Sequence, residues 1–371
     1  MRVINPYSSV DWDTVGHRIG QLHVHPNYSN KGEPADVIDA YHDVGYEILS
    51  VSPRTRLADT DGNFAEPWPW TDMVPKEIDP ESTNQDDPDP WTENRDPEEL
   101  GMIAVRGVET INNEHIFWYF SSRNYIDSSR PRTQFSEIRE ALENENALTD
   151  LAHPGRYNES DTRGDWSPGE WERYARQFRD FDRHFGIEVV NSTLGNDDSR
   201  ILWDQLLTNI TPHRNVIGAA TDDPTDLSKE ADNRFDSGRT VFLMDDDEFV
   251  PGHESGDIWR VWTEGQSYFS AVADNDNEHP TIENVEHDKE AATLTVEPSP
   301  VDHEKWIADG EVIHEGQTLE YEAHSDEIDG YVRFEGVVGD DTQPTDENHP
   351  PESVVCTQPF ITTGTILSAQ R

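Results

Sequence analysis

Gly20-Gln21-Leu22-His23-Val24-His25 reads as the end of a buried strand carrying two imidazoles. Side chains alternate across a strand with a period of two, so His23 and His25 share one face and Val24 takes the other. Alone, such a pair is a weak signal in a chain with 15 histidines. It gains weight from the ends of the later apolar runs. Gly107-Val108-Glu109 closes the apolar run 102–105, and His115 opens the run 116–120. Residues 148–152 end at His153-Pro154-Gly155, residues 186–190 end at Asn191, and residues 216–221 end at Asp222-Asp223. His, Glu and Asp placed repeatedly where short hydrophobic strands finish is the pattern of an α/β barrel's C-terminal rim.

Working outward from that stretch, Pro34 suits a first helical turn, where a missing N–H costs nothing. Val37, Ile38, Tyr41 and Val44 repeat at helical spacing, Gly45 caps the helix and 46–52 is the next strand. This is a βαβ unit and predicts a parallel sheet. A hairpin is expected from strands near 102–109 and 115–120, with a tight turn at 111–114. Ser167-Pro168-Gly169-Glu170 reads as an N-cap, an N1 proline and the start of a capping box for a helix running to about His184. His184 is then expected at a helix C-terminus, where an imidazolium suits the dipole. Residues 56–100 break the pattern with Asp, Pro and Trp. Their length and position after a rim strand leave two readings, a plain insertion or a partial lid over the site, with Trp68, Trp70 and Trp91 able to stack on a substrate or pin the loop. Beyond about residue 275, short strand-like runs separated by turn residues suggest a small β-sandwich-like domain, with Asp309-Gly310 as a hairpin turn. The expected division is 1–274 and 275–371.

The chain has 77 acidic and 28 basic residues, for a net charge of −49, and five of the basic residues are Lys. Such an excess repels itself in dilute buffer and is screened within a few ångströms by concentrated salt. A salt-adapted cytoplasmic protein is the expectation, from a halophile. The 11 Trp and 13 Phe supply a core and set disorder aside. The single Cys356 excludes a disulfide framework and a multi-thiolate zinc site, so metal chemistry here must use His and carboxylate. No apolar run reaches the roughly 18–20 residues of a membrane span, no charged-then-apolar leader opens the sequence, and the acidic surface argues against phosphate-backbone binding of nucleic acid.

Taken together, His23-x-His25, Gly45-Tyr46, Gly107-x-Glu109, His115, Ala152-His153-Pro154, Glu188-x-x-Asn191 and Thr221-Asp222 resemble the successive motifs of the PHP superfamily, the polymerase and histidinol phosphatase metal-dependent phosphoesterases. The resemblance covers about residues 15 to 270 in order and spacing. Tyr331-Val332-Arg333 and Gln358-Pro359 are similar to the tail of its carbaryl-hydrolase-like branch. It implies a distorted seven-stranded (β/α) barrel with two or three divalent ions at the strand ends. This sequence departs from the pattern at three places. Ser52-Pro53-Arg54 stands where the family has Thr-Asp-His, Asp222-Asp223-Pro224 where it has Asp-x-His, and Gln21 where an Asp precedes the HxH. The resemblance assigns His23, His25, Glu109 and Asp222 to one metal, and Glu109, His115 and His153 to a second, with Glu109 bridging. The two lost histidines would have served a third ion.

Imidazole and carboxylate suit two divalent ions, Zn, Mn or Fe. Such a pair can clamp a phosphoryl group and lower the pKa of a water between them. Arg54 and Arg156 are candidate phosphate ligands, because guanidinium matches two phosphate oxygens at once. Glu188 and Asn191 are candidates for orienting the ligands, and Asp223 or Tyr157 for donating a proton to the leaving group. The function expected is hydrolysis of a small phosphate ester, or of a carbamate or other ester. The competing reading is a catalytically silent barrel acting as a binding or scaffold module.

Overall fold

The computed structural model describes residues 1–25, 34–52, 54–55, 95–110, 114–121, 133–143, 145–158, 164–192, 194, 198–224, 226–228, 234–254, 256–340 and 350–363. Most of the 56–100 segment, with Trp68, Trp70 and Trp91, therefore lies outside the described residues, as does the side chain of Arg54.

The Gly16–Val24 strand lies inside a 12-stranded mixed sheet. On one side it pairs in parallel with Ile48–Val51, and the Pro34–Asp43 helix makes the crossover. Gly45, at φ 93°, ends that helix in the left-handed conformation that only glycine adopts without strain. Val37, Ile38 and Tyr41 pack from the helix onto Val24, Leu49 and Val51. On its other side the strand pairs antiparallel with Gly238–Met244, which continues into Ser267–Val272. A second, six-stranded sheet holds Gly107–Thr110, Ile116–Tyr119, Leu148–Leu151, His184–Asn191 and Ile217–Thr221. Arg54–Thr55 adds to its edge, in register with Glu109–Thr110.

The two sheets enclose one apolar core, to which Leu22, Ile48 and Phe242 come from the first and Phe117, Leu148 and Ile217 from the second, with Trp262 beneath. They do not close into a barrel. Between Ile217–Thr221 and Gly238–Met244 the described residues form no ladder. Instead the Thr240 hydroxyl accepts from Ala220 N at 3.2 Å and donates to Ala220 O at 3.1 Å. The chain crosses from one sheet to the other between residues 104 and 107. The expected single strand near 102–109 is thus two. Ile103–Ala104 extends the large sheet and Gly107–Thr110 belongs to the smaller one. Gly107 makes the crossing possible: a Cβ there would lie 2.2 Å from Ser50 Oγ and 2.5 Å from Ser52 Oγ.

Three helices, Gln134–Ala141, Pro168–Asp180 and Ser199–Ile210, cover the smaller sheet through Ile138, Tyr174, Phe178 and Trp203. The expected capping box is present, with the Glu170 carboxylate accepting from Ser167 N at 2.9 Å. His184 corrects the sequence reading. The Pro168–Asp180 helix stops short of it, and His184 begins the next strand, fully buried against Phe178 with its ring facing Thr149 Oγ1 at 3.0 Å. Burial first, then the Arg214 charge, lowers its pKa to about 3, so it is neutral rather than a dipole-paired cation.

The C-terminal strands lie on the same sheet as the site. Ser353–Thr357 pairs with Ser267–Val272, Tyr331–Val338 follows, and Phe360–Thr363 pairs with Arg2–Ile4. The backbone ladder therefore runs across the expected 274/275 division. A three-stranded sheet, Thr281–Asp288, Thr293–Ser299 and Thr318–Glu320, packs over this end through Ile282, Leu294 and Leu319 onto Trp306 and Phe334. Asp309 (φ 52°) and Gly310 (φ 77°) make the hairpin turn read from the sequence, a turn that needs two positive-φ residues. Among the described residues no helix is long and apolar enough to cross a membrane.

Candidate metal centre

His23, His25, Glu109, His115 and His153 come from four strand ends and converge. The His23 and His25 Nε2 atoms face each other at 2.8 Å, as the strand alternation requires. Glu109 is the hub, wholly buried. Its Oε2 lies 3.1 Å from His25 Nε2, and its Oε1 lies 2.6 Å from His115 Nδ1 and 3.0 Å from His153 Nε2. One carboxylate thus turns Oε2 toward His25 and Oε1 toward His115 and His153, with His23 Nε2 also 3.7 Å from Oε1.

The far side of the ring fixes which nitrogen faces inward. His23 Nδ1 lies 2.7 Å from Glu188 Oε1, and His25 Nδ1 contacts the carbonyl of Ser52. Both rings therefore turn Nε2 to the cluster, as metal-ligating histidines do when a carboxylate or carbonyl holds the other nitrogen. Ser52 is one of the residues by which the sequence departs from the family pattern, yet its backbone still serves the site. Glu188 is itself held: Thr221 Oγ1 donates to it at 2.9 Å, Asn191 Nδ2 at 3.1 Å and His153 N at 2.8 Å. Glu188, expected to orient the ligands, lies against His23 Nδ1, and Asn191 lies against Glu188. Thr221 and the Ser52 carbonyl were missed, because neither residue type in those positions signals a ligand.

Asp222 is a correction. The sequence reading makes it a metal ligand, but its carboxylate is turned away into a cage of donors: Gly238 N at 2.7 Å, Asp236 N at 2.7 Å, Ser237 N at 3.0 Å and Tyr41 OH at 2.9 Å. Asp223, read as a proton donor, takes the site-facing position. Its Oδ1 lies 3.6 Å from His23 Nε2 and 3.7 Å from His25 Nε2, while Oδ2 accepts from Arg156 Nη1 at 3.1 Å. The Ile217–Thr221 strand ends before this pair, and Asp223 has φ 39°, so strand alternation does not decide which of the two faces inward.

Arg156 also bonds the Asn191 side chain. It stands half-exposed on the short turn Pro154–Tyr157, beside the partly exposed His115. The Tyr157 ring lies 5.5 Å from that of His115 and 5.8 Å from that of His153. These three side chains form the mouth. Arg54 pairs with Glu109 through its backbone register, and its side chain is outside the described residues.

Electrostatics separate the carboxylates. Burial pushes Glu109 up, but the His25 and His23 charges and the hydrogen bonds from His115 and His153 more than offset it and hold it well below the usual range. Glu188 lacks that compensation, and burial raises it to about 7. Burial, then the Asp236 charge, also raises Asp222 to about 7 despite its backbone donors. His153 is lowered, first by burial.

The donor set could hold a metal ion. His23, His25 and Asp223 form one group and Glu109, His115 and His153 another, each with its ligand atoms within 4.8 Å of one another. Atoms bonded to one ion at ~2.0–2.2 Å lie within about 4.4 Å of each other, so adjustments of a few tenths of an ångström suffice. A third group, His23, His153 and Glu188, is better read as orientation, because His23 offers Glu188 the ring nitrogen opposite the cluster. No thiolate takes part, which leaves borderline and hard divalent ions such as Zn, Mn or Fe. No protein-family model matches the chain, and no curated protein matches it.

Proposed function

We propose that the chain is a metal-dependent hydrolase of PHP type, its two curled sheets an interrupted form of the family's barrel, acting on a small phosphate ester with two divalent ions. The observation that carries this reading is Glu109, one buried carboxylate with Oε2 toward His25 and Oε1 toward His115 and His153. That geometry suits a carboxylate bridging two ions: His23, His25, Glu109 and Asp223 would hold one, and Glu109, His115 and His153 the other. A bound pair supplies Lewis acidity and a water acidic enough to attack at neutral pH.

The chain's own groups do the rest. Arg156 binds the anionic end of the substrate at the mouth, where a guanidinium pairs two phosphate oxygens. Asp223 and Asn191 hold Arg156 in place. Glu188 and the Ser52 carbonyl keep the His23 and His25 rings turned inward. The Tyr157 hydroxyl is the remaining candidate for giving a proton to the leaving oxygen, since Asp223 is turned to the His pair on one oxygen and to Arg156 on the other.

A silent binding module is the competing reading. It draws support from the Arg156–Asp223 ion pair, in which a guanidinium already neutralises one of the carboxylates a metal would use. Elemental analysis of protein purified in concentrated KCl without chelator separates the two. About two transition-metal ions per chain, with phosphate-ester turnover lost in Glu109→Ala and His153→Ala while both stay folded, is the expected result. No metal after reloading with Mn or Zn, or full activity in both variants, rejects the hydrolase.

A further inference from the structure

We propose that a second site, a pocket at the edge of the large sheet remote in composition from the metal centre, binds small organic anions through Arg2, Lys289 and His287. The cavity measures about 370 Å³ and lies where the Arg2–Ile4 edge strand meets the end of the Thr281–Asp288 strand and Tyr321. That volume falls in the range of small-molecule pockets.

The lining is at odds with the rest of the molecule. With 77 acidic residues in 371, any nine residues carry about two acids on average, yet none of the nine that line this pocket is Asp or Glu. Three are basic or imidazole. Arg2 and Lys289 are both exposed, and among the described residues neither takes part in a salt bridge, in a chain with almost three acids for every base. Unpaired cations are the last thing that this composition supplies at random. Of the acids adjacent in sequence, Asp288 Oδ1 accepts from Glu290 N at 2.8 Å and Ala291 N at 2.9 Å, closing its own hairpin turn, while its charge and that of Glu322 still reach Tyr321. The amino group of Met1 is taken up by Glu322 and is not counted among the pocket's cations. Burial, then the Lys289 charge, holds His287 below its ordinary pKa against the opposing Asp288 charge, so the ammonium's field reaches that ring.

One wall is apolar. Tyr321 is buried with its ring 5.8 Å from that of His287, and Ile4 is one of four large hydrophobic side chains left exposed among the described residues, at 47 %. Guanidinium and ammonium fit a phosphate or carboxylate head, and the Tyr321–Ile4 wall fits a short apolar or planar body. None of these residues belongs to the His and carboxylate cluster, so the site stands or falls independently of the hydrolase reading.

Phenylphosphonate, which carries both halves and resists hydrolysis, is the probe. Its binding to chelator-treated full-length protein is measured by calorimetry at fixed KCl, and the His287 ring resonances are followed by ¹⁵N-histidine NMR. The expected result is saturable binding that shifts His287, weakens at least about tenfold in Arg2→Ala/Lys289→Ala, and is unchanged in Arg156→Ala. Lys289→Glu, a single surface change, must weaken it as well. Absence of binding to the wild type, or the same affinity in the double variant, or an unmoved His287 signal, overturns the proposal.

Discussion

Glu335 and Glu188 are both wholly buried, and they lie on opposite sides of the carboxylate range. Burial pushes each of them up. At Glu335 the Arg200 and Arg333 charges more than reverse this and lower it to about 2. At Glu188 the neighbouring Glu109 and Asp223 add to the effect of burial, His153 opposes it too weakly, and the group rises to about 7. The first belongs to a closed set: two arginines, Arg200 and Arg333, against two acids, Asp204 and Glu335, joined at 2.6 to 3.1 Å. The second belongs to an open one, in which Glu109, Glu188 and Asp223 face His23, His25, His115 and His153, with Arg156 as the permanent cation among the described side chains. A buried set that balances its own charges ties elements together, here the Ser199–Ile210 helix to the C-terminal strands. One that does not balance them could hold a cation from outside.

The balanced set gives the largest expected effect. Arg333→Met leaves Asp204 and Glu335 buried against Arg200 alone, and breaking such a pair costs about 3–5 kcal/mol. Denaturant unfolding at constant KCl measures it; a loss under about 1 kcal/mol would show that the network is not a clasp. The same glutamate gives the set a pH signature. Its folded pKa lies below the unfolded value of 4.5, so its contribution is fully present above pH 4.5 and fades as pH falls from there toward about 2. That loss amounts to roughly 3 kcal/mol at most, and Glu335→Gln should remove it from the acid limb. Identical acid limbs in the two proteins would mean that Glu335 is not held by its arginines.

These contrasts bear on what the sequence discloses. His23 and His25 could be placed on one face because alternation is a local rule, and the Asp309-Gly310 turn because two positive-φ residues in a row have few other uses. Glu109, His115 and His153 were found by their position at strand ends, and the fold brings all three together. The clasp was not legible. Asp204 and Arg333 are 129 positions apart, and nothing local marks either as buried. For the same reason the C-terminal strands read as a separate sandwich-like unit, although they hydrogen-bond into the sheet that carries the HxH strand. His184 was misplaced because helical periodicity persists past the residue where the Pro168–Asp180 helix stops.

On the open set a smaller effect is expected, and of a different kind. Glu188→Gln keeps shape and removes a buried carboxyl that lacks cations. In the metal-free protein the new amide would face the Thr221, Asn191 and His153 N donors, at a cost of about 1–3 kcal/mol. Metal affinity should fall about 10–100-fold, the usual cost of losing the partner that orients a ligating imidazole. Competition with a chelating dye reads the affinity, and thermal unfolding in chelator reads the stability. A variant that is destabilised and binds metal as before would move Glu188 from the open set to the closed one.

Asp222 and Asp223 bring the comparison down to neighbouring residues. Asp222 is balanced in miniature: three backbone N–H groups and the Tyr41 hydroxyl satisfy its carboxylate, and the loop at 236–238 is wrapped around it. Asp223 faces the His23–His25 pair. Asp222→Asn puts an amide donor among donors and should cost about 1–3 kcal/mol of stability while leaving metal content intact. Asp223→Asn should do the reverse, lowering metal per chain while costing the metal-free protein less stability than Asp222→Asn does, since its Arg156 partner is partly exposed and screened. If Asp222→Asn instead empties the site and Asp223→Asn does not, the carboxylate that the sequence motif nominated is the ligand after all. The loop at 236–238 would then have to open when metal binds, since no metal can reach a carboxylate whose oxygens are all spent on its own backbone cage.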